Sequence, residues 1–168
     1  MRDRSATIGS PKRNVRAIAT ALLIGLLSGC SGIRPYPNQL EKNLQMHTST
    51  NSGSIFSSVR ASLSILRVDA QCRTEYEGTV DLHNGAAEVG VPIDRWSYLI
   101  FDFSSSGLFS GNSTIKQATL LKPRAGYRYD VEVIYRDEMY NIVIHEMRAG
   151  STGDREITLR GLDACTQG

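Results

Sequence analysis

The sequence has little charge and no surplus of one sign: 21% of its 168 residues are charged, with 19 Lys and Arg against 17 Asp and Glu. A net of +2 excludes the basic stripe with which a nucleic-acid binder neutralises phosphates. No apolar run reaches the roughly 20 residues that a membrane-spanning helix needs. Three His and three Cys leave little material for a metal centre, and 7% aromatics argue against a carbohydrate-cleaving cleft. What remains is 40% hydrophobic residues in a length that suits one domain. That content excludes wholesale disorder, because the chain has enough apolar surface to bury.

The first 16 residues carry Arg2, Arg4, Lys12, Arg13 and Arg16 against Asp3 alone. An apolar run interrupted by one threonine follows over 17–27, then Leu27, Ser28, Gly29 and Cys30. A basic segment followed by a short apolar one is the pattern of a secretory signal. At its end the sequence resembles the bacterial lipoproteins, whose lipobox places small residues before an invariant cysteine. The resemblance covers residues 1–30 and implies a diacylglycerol on the Cys30 thiol, cleavage just before it and acylation of the new N-terminus. Several acyl chains, each burying CH₂ groups at about 0.8 kcal/mol, hold a protein on a membrane where one chain does not. Ser31 in place of aspartate implies, by the family's sorting rule, the outer membrane.

Removing residues 1–29 leaves 139 residues with 14 basic and 16 acidic side chains. The mild basicity of the whole chain therefore belongs to the signal, and the mature part has no electrostatic reason to seek anionic lipid or nucleic acid. Besides the acylated Cys30 it holds two cysteines, Cys72 and Cys165. In an oxidising periplasm such a pair reads as a disulfide, the alternative being two separate buried thiols. Neither has a His or a second Cys at zinc-ligand spacing, so no metal site is expected.

Residues 30–57 read as the lipidated cysteine and a tether, ahead of a domain over 58–168. Pro35 and Pro37 favour an extended path, 47–54 is a polar loop signal, and 40–46 could form a helical turn or an edge strand. From residue 58 onward the hydrophobic period is two. Val59, Ala61, Leu63 and Ile65 alternate with polar residues, and the phase changes at Leu66 and Val68 as at a bulge. Val80 and Leu82 lead to the turn signal Asn84-Gly85, and Pro92 marks an edge or a strand end after Val89 and Val91. Residues 95–103 are strand-like and apolar on both faces, 104–113 read as a serine-rich loop, and 114–122 as a strand closed by Pro123. In 127–147, Tyr127, Tyr129, Val131, Val133 and Tyr135 share one face. A turn at Asp137-Glu138 pairs Tyr135 with Tyr140, Val133 with Ile142 and Val131 with Ile144. Ile157 and Leu159 mark a last strand. Seven or eight strands without a long amphipathic helix define an all-β fold, an antiparallel β-sandwich with a small β-barrel as the alternative.

Catalytic patterns do not assemble. His47 falls in the tether and His83 beside a turn. His145-Glu146 would need a second histidine at Ala149 and a helix to be a zinc protease motif, whereas the strand register sets His145 opposite Asp130 as a surface pair. There is no nucleophile elbow, phosphate-cradling glycine loop or calcium loop. No catalytic residue, cofactor or metal is therefore expected. The better lead is Trp96 and Tyr98, on one face of a strand whose other face carries Leu99, Phe101 and Phe103. With the odd face in the core, Trp96 and Tyr98 are either covered within the chain or left for a partner.

Beyond residue 30 the chain looks like the small β-sandwich lipoproteins of the bacterial envelope. That likeness implies a non-catalytic binding or scaffolding module on the outer membrane, facing the periplasm, with an envelope protein as partner in assembly or secretion. The alternatives are a module that binds a glycan or envelope polymer through Trp96 and the tyrosines, and an inhibitor of a cell-wall hydrolase that uses 104–113 as a plug.

Overall fold

The computed structural model describes residues 32–50, 57–82, 85–107, 111–136 and 139–167. Cys30, His83, Asn84 and the Asp137-Glu138 turn lie outside them. Residues Ile33–Gly168 form one compact unit of two β-sheets. The chain supplies β1 (Leu44–Thr50), β2 (Ser57–Val68), β3 (Thr74–Leu82), β4 (Gly85–Val89), β5 (Ser97–Gly107), β6 (Gly111–Leu121), β7 (Tyr127–Arg136), β8 (Met139–Arg148) and β9 (Asp154–Glu156). One sheet has the order β4-β1-β7-β8-β9 and the other β3-β2-β5-β6. Neither sheet closes on itself, so the fold is a β-sandwich and not a barrel.

The long β7–β8 hairpin has the expected register: Tyr135 faces Tyr140, Val133 faces Ile142 and Val131 faces Ile144. Its apolar phase meets the odd face of β5, where Leu99, Phe101 and Phe103 are buried together with Leu63 and Ile65 of β2. Each such side chain removed from water contributes about 1.5–3 kcal/mol, so the two inner faces hold the sandwich together.

Residues 33–50 are not the spacer expected there. Leu44–Thr50 is an interior strand, antiparallel to β4 and parallel to β7, and it buries Leu44 and Met46 in the core. The chain before it is fastened as well. Asn43 clips the backbone of Val91 with its amide, donating from Nδ2 to the carbonyl and accepting from the N–H, both at 2.9 Å. Asn38 grips Glu88 and Gly90 in the same way at 3.0 Å, and the Tyr36 hydroxyl donates to the Gly90 carbonyl at 2.9 Å. On the other sheet, Tyr36 and Arg34 bond to the backbone of Thr79 on the outer side of β3. Gly78 and Gly90 permit this approach: a Cβ on the first would collide with the Tyr36 backbone, and one on the second with the Leu40 carbonyl.

Four further expectations are refined or overturned. The bulge expected where the phase changes at Leu66 and Val68 is present in the pairing of β2 with β3, whose register shifts between Ile65 and Leu66, while the pairing of β2 with β5 runs on unbroken. The extra residue is Glu77 in β3, while Leu66 and Val68 face the outside of the sheet, where a second cluster forms. β3 and β4, on either side of the Asn84-Gly85 signal, belong to different sheets and form no hairpin. The serine-rich stretch extends β5 and β6, with the Ser105 and Ser113 hydroxyls 2.7 Å apart across the strands. Its description as one long loop therefore fails. The final apolar pair is not strand: β9 stops at Glu156, and Ile157 and Leu159 pack on the core on the way to a 3₁₀ turn at Leu162–Gln167.

Cys72 and Cys165 are joined by a disulfide, with Cα atoms 5.9 Å apart and 93 residues of separation. Closing a loop of that length is worth about 4.7 kcal/mol in the chain-entropy account. The β2–β3 turn presents Cys72 at φ 60°, held by the Asp69 carboxylate, which accepts from the N–H groups of Gln71 and Arg73 at 2.9 Å. These bonds, that from Arg73 first, keep the Asp69 carboxyl below its ordinary range.

Two predictions follow from this packing. Val133→Asp places an unpaired charge in the core and should cost several kcal/mol or prevent folding, whereas Glu132→Lys on the exposed face should stay within about 0.5 kcal/mol. Thermal melts of the two variants make the comparison, and equal effects would mean that the faces are wrongly assigned. Replacing Cys165 with serine should lower stability by about 2–5 kcal/mol and shift tryptophan emission to the red. Unchanged emission would show that the disulfide does not hold the cover over Trp96.

Candidate functional site

Trp96 and Tyr98 do not stand free. With Val68, Leu120 and Cys165 they form a cluster on the outside of the four-stranded sheet, covered by the C-terminal 3₁₀ turn and its disulfide. Of the two fates open to this pair, cover from within the chain is the main one. One edge of the half-buried Trp96 remains accessible and lines a groove of about 340 Å³. The other walls come from Lys122 and Arg124 after β6, Arg155 in β9, and Thr158 and Arg160 beyond it.

The groove floor is a charged network on an inward position of the sandwich. Glu146 continues the buried phase of Ile142 and Ile144, and it lies opposite Tyr129 on β7 and Arg155 on β9. Arg124 grips the carboxylate with two donors: Nε lies 2.9 Å from Oε1, and Nη2 bonds Oε2. Arg155 Nη2 donates to Oε2 at 2.7 Å, and the Tyr129 hydroxyl donates to Oε1 at 2.9 Å. Tyr129 in turn accepts from the Arg124 N–H at 2.9 Å. The Arg124 guanidinium also sits 3.9 Å from the centre of the Tyr127 ring, a favourable cation–π position.

Burial pushes the Glu146 carboxyl upward, but the bonds from Arg124, Tyr129 and Arg155 outweigh it and hold the group below its ordinary value. Burial, helped by the Glu146 charge, raises Tyr129, which therefore keeps its proton. A general acid at neutral pH needs a carboxyl shifted the opposite way. The network is consequently a set of fixed charges, suited to holding ions in place.

The groove mouth carries two more cations. Lys122 Nζ lies 5.7 Å from the centre of the Trp96 ring. Arg160 is anchored by its backbone: its carbonyl accepts from the Leu120 N–H at 2.8 Å, and its N–H donates to Thr119 Oγ1 at 3.0 Å.

His47 and His145 sit elsewhere, on the outer face of the five-stranded sheet. His145 is opposite Asp130 as expected, but its Nδ1 lies 2.7 Å from Asp154 Oδ2, and it is half-buried rather than solvated. Asp130 instead approaches His47, which belongs to β1 and not to a tether, at 3.2 Å. Both are close side-chain contacts without the alignment of a hydrogen bond.

Fold and groove together define a disulfide-closed β-sandwich with an ion-lined cleft beside its C-terminal segment. No protein-family model, curated protein or solved structure matches this chain.

The depressed Glu146 carboxyl sets a pH dependence. Its stabilisation is complete above the ordinary glutamate value of 4.5 and is lost as pH falls through the lower folded value. Thermal melts from about pH 7 to about pH 3 should show a steeper acid loss in wild type than in Glu146→Gln. At neutral pH that variant should melt at a lower temperature than wild type, because a neutral amide replaces the carboxylate that Arg124, Tyr129 and Arg155 bond. Parallel pH profiles for the two proteins would contradict the assignment.

Proposed function

We propose that the chain is an outer-membrane lipoprotein, anchored through an acylated Cys30, whose β-sandwich is a non-catalytic binding or scaffolding module facing the periplasm. Its partner is an envelope protein of an assembly or secretion complex. The observation that carries this reading is the Cys72–Cys165 disulfide, the kind of cross-link that persists in an oxidising compartment. It agrees with the basic and apolar segments that lead to Leu27, Ser28, Gly29 and Cys30. The locked Glu146 network supports binding over turnover, since its charges are fixed by mutual contacts and its carboxyl is tuned away from proton transfer.

Metabolic labelling with a fatty acid tests the anchor. Wild-type chain should incorporate label, and Cys30→Ser should lose it and accumulate as unprocessed precursor. Labelled Cys30→Ser protein would sink the lipoprotein reading.

A further inference from the structure

The geometry points to the Trp96 groove as a docking site for an extended acidic peptide segment of a partner protein, with carboxylates on the cations and an apolar side chain against Trp96 and Ile157. This inference rests on the reading of the sandwich as a protein-binding module and names what the module takes.

Charge gives the first argument. The charged residues lining the groove are Lys122, Arg124, Arg155 and Arg160 against Glu146 and Glu156. Two positive charges are left over there, although the mature chain carries more acidic than basic side chains. Positive potential is therefore concentrated at this cleft, where low-dielectric walls strengthen it.

Preorganisation gives the second. Glu146 fixes the guanidinium groups of Arg124 and Arg155, yet each spends only part of its five N–H donors on that carboxylate. A ligand carboxylate meeting them finds side chains whose rotamer freedom is already lost, which removes much of the entropic cost of binding. Lys122 is held over the indole, and the two backbone bonds of Arg160 fix where its side chain starts.

The apolar part of the wall selects the class. Trp96 and Ile157 are half-buried beside the cations, so a ligand must bring both anionic and aliphatic groups. An extended peptide with acidic and apolar residues supplies both within a few residues, the mode by which cationic clusters read acidic motifs. An acidic glycan supplies the charge and a sugar face but no aliphatic side chain.

Trp96 is the one tryptophan of the chain and lines this groove, so a ligand seated there changes the emission directly. The full chain, purified in a non-ionic detergent, is titrated with a capped peptide of alternating Glu and Leu, with its Lys-for-Glu counterpart, and with an oligogalacturonate as acidic glycan. The Glu–Leu peptide should change the emission saturably, with a Kd that weakens by about tenfold from low to physiological salt as the charges are screened. The double variant Lys122→Glu, Arg160→Glu should weaken it by at least about tenfold while leaving the melting temperature in place, because both side chains are exposed and outside the Glu146 network. The basic peptide should be silent. No saturable response, an equal response to the basic peptide, or tighter binding of the glycan would overturn the assignment. In a pull-down from solubilised membranes, a partner held equally by wild type and the double variant would overturn the groove and leave the binding-module reading standing.

Discussion

The parallel pairing of β1 with β7 is the constraint on which the five-stranded sheet depends. Remove it and β1 parts from the sheet together with β4, the buried Leu44 and Met46 leave the core, and β7 becomes a sheet edge. The pairing joins residues more than 80 positions apart, so no local turn can set its register. Asn43 does so instead: its amide clips Val91, its own N–H donates to the Val89 carbonyl, and its carbonyl accepts from the Tyr129 N–H. One buried side chain and its backbone thereby index three segments. A buried amide with these polar groups satisfied strengthens the register, whereas a half-satisfied one would weaken it.

The Glu146 network and the disulfide close one region of the sandwich in different ways. The network ties β8 to β9 and to the chain after β6 through one buried carboxylate shared by two more exposed arginines. Isolated buried ion pairs are poor sources of stability, because desolvation consumes most of the attraction. What this one provides is position: Arg124 and Arg155 are held on the same carboxylate, and the loop between β6 and β7 is held with them. The disulfide acts on the unfolded chain and keeps the 3₁₀ turn over Trp96, Tyr98 and Leu120. Trp96 meets both devices, with its body in the disulfide cluster and one edge in the charged groove.

Elements whose information is local could be read from the sequence. The β7–β8 hairpin shows a long period of two around a turn signal, and the inward face of β5 follows from Leu99, Phe101 and Phe103. β1 could not be read in this way. Only Leu44 and Met46 mark its inward phase, a polar stretch follows, and its partners come from distant parts of the chain. Polar side chains beside Pro35 and Pro37 suggested a spacer because their amide partners are backbone groups 48 to 52 residues away. The charged network left a trace that the register already contained. Continuing the pairing of Val131 with Ile144 by one step inward sets Tyr129 against Glu146, a carboxylate in an apolar phase. Such a residue requires a cation, but nothing local says that Arg124 and Arg155 are the ones.

A sandwich that is not closed must manage its outer strands, since an unpaired edge is a template for aggregation. The Arg34–Tyr36 backbone covers β3 at Thr79, Asn38 takes the free backbone groups of Glu88 and Gly90 beside β4, and β9 is three residues long. β6 is the longest outer strand of the described residues, and it is blunted differently along its length. Ser113, Thr114, Lys116 and Gln117 make its free part polar, and Lys116 pairs with Asp102 at 3.0 Å. At the apolar end, the Arg160 carbonyl takes the Leu120 N–H and the C-terminal segment lies along the strand. That same segment supplies Thr158 and Arg160 to the groove wall. Covering the edge and building the cleft are thus done by one stretch of chain. The backbone bonds that protect β6 from indiscriminate strand pairing also fix the position from which Arg160 reaches a ligand.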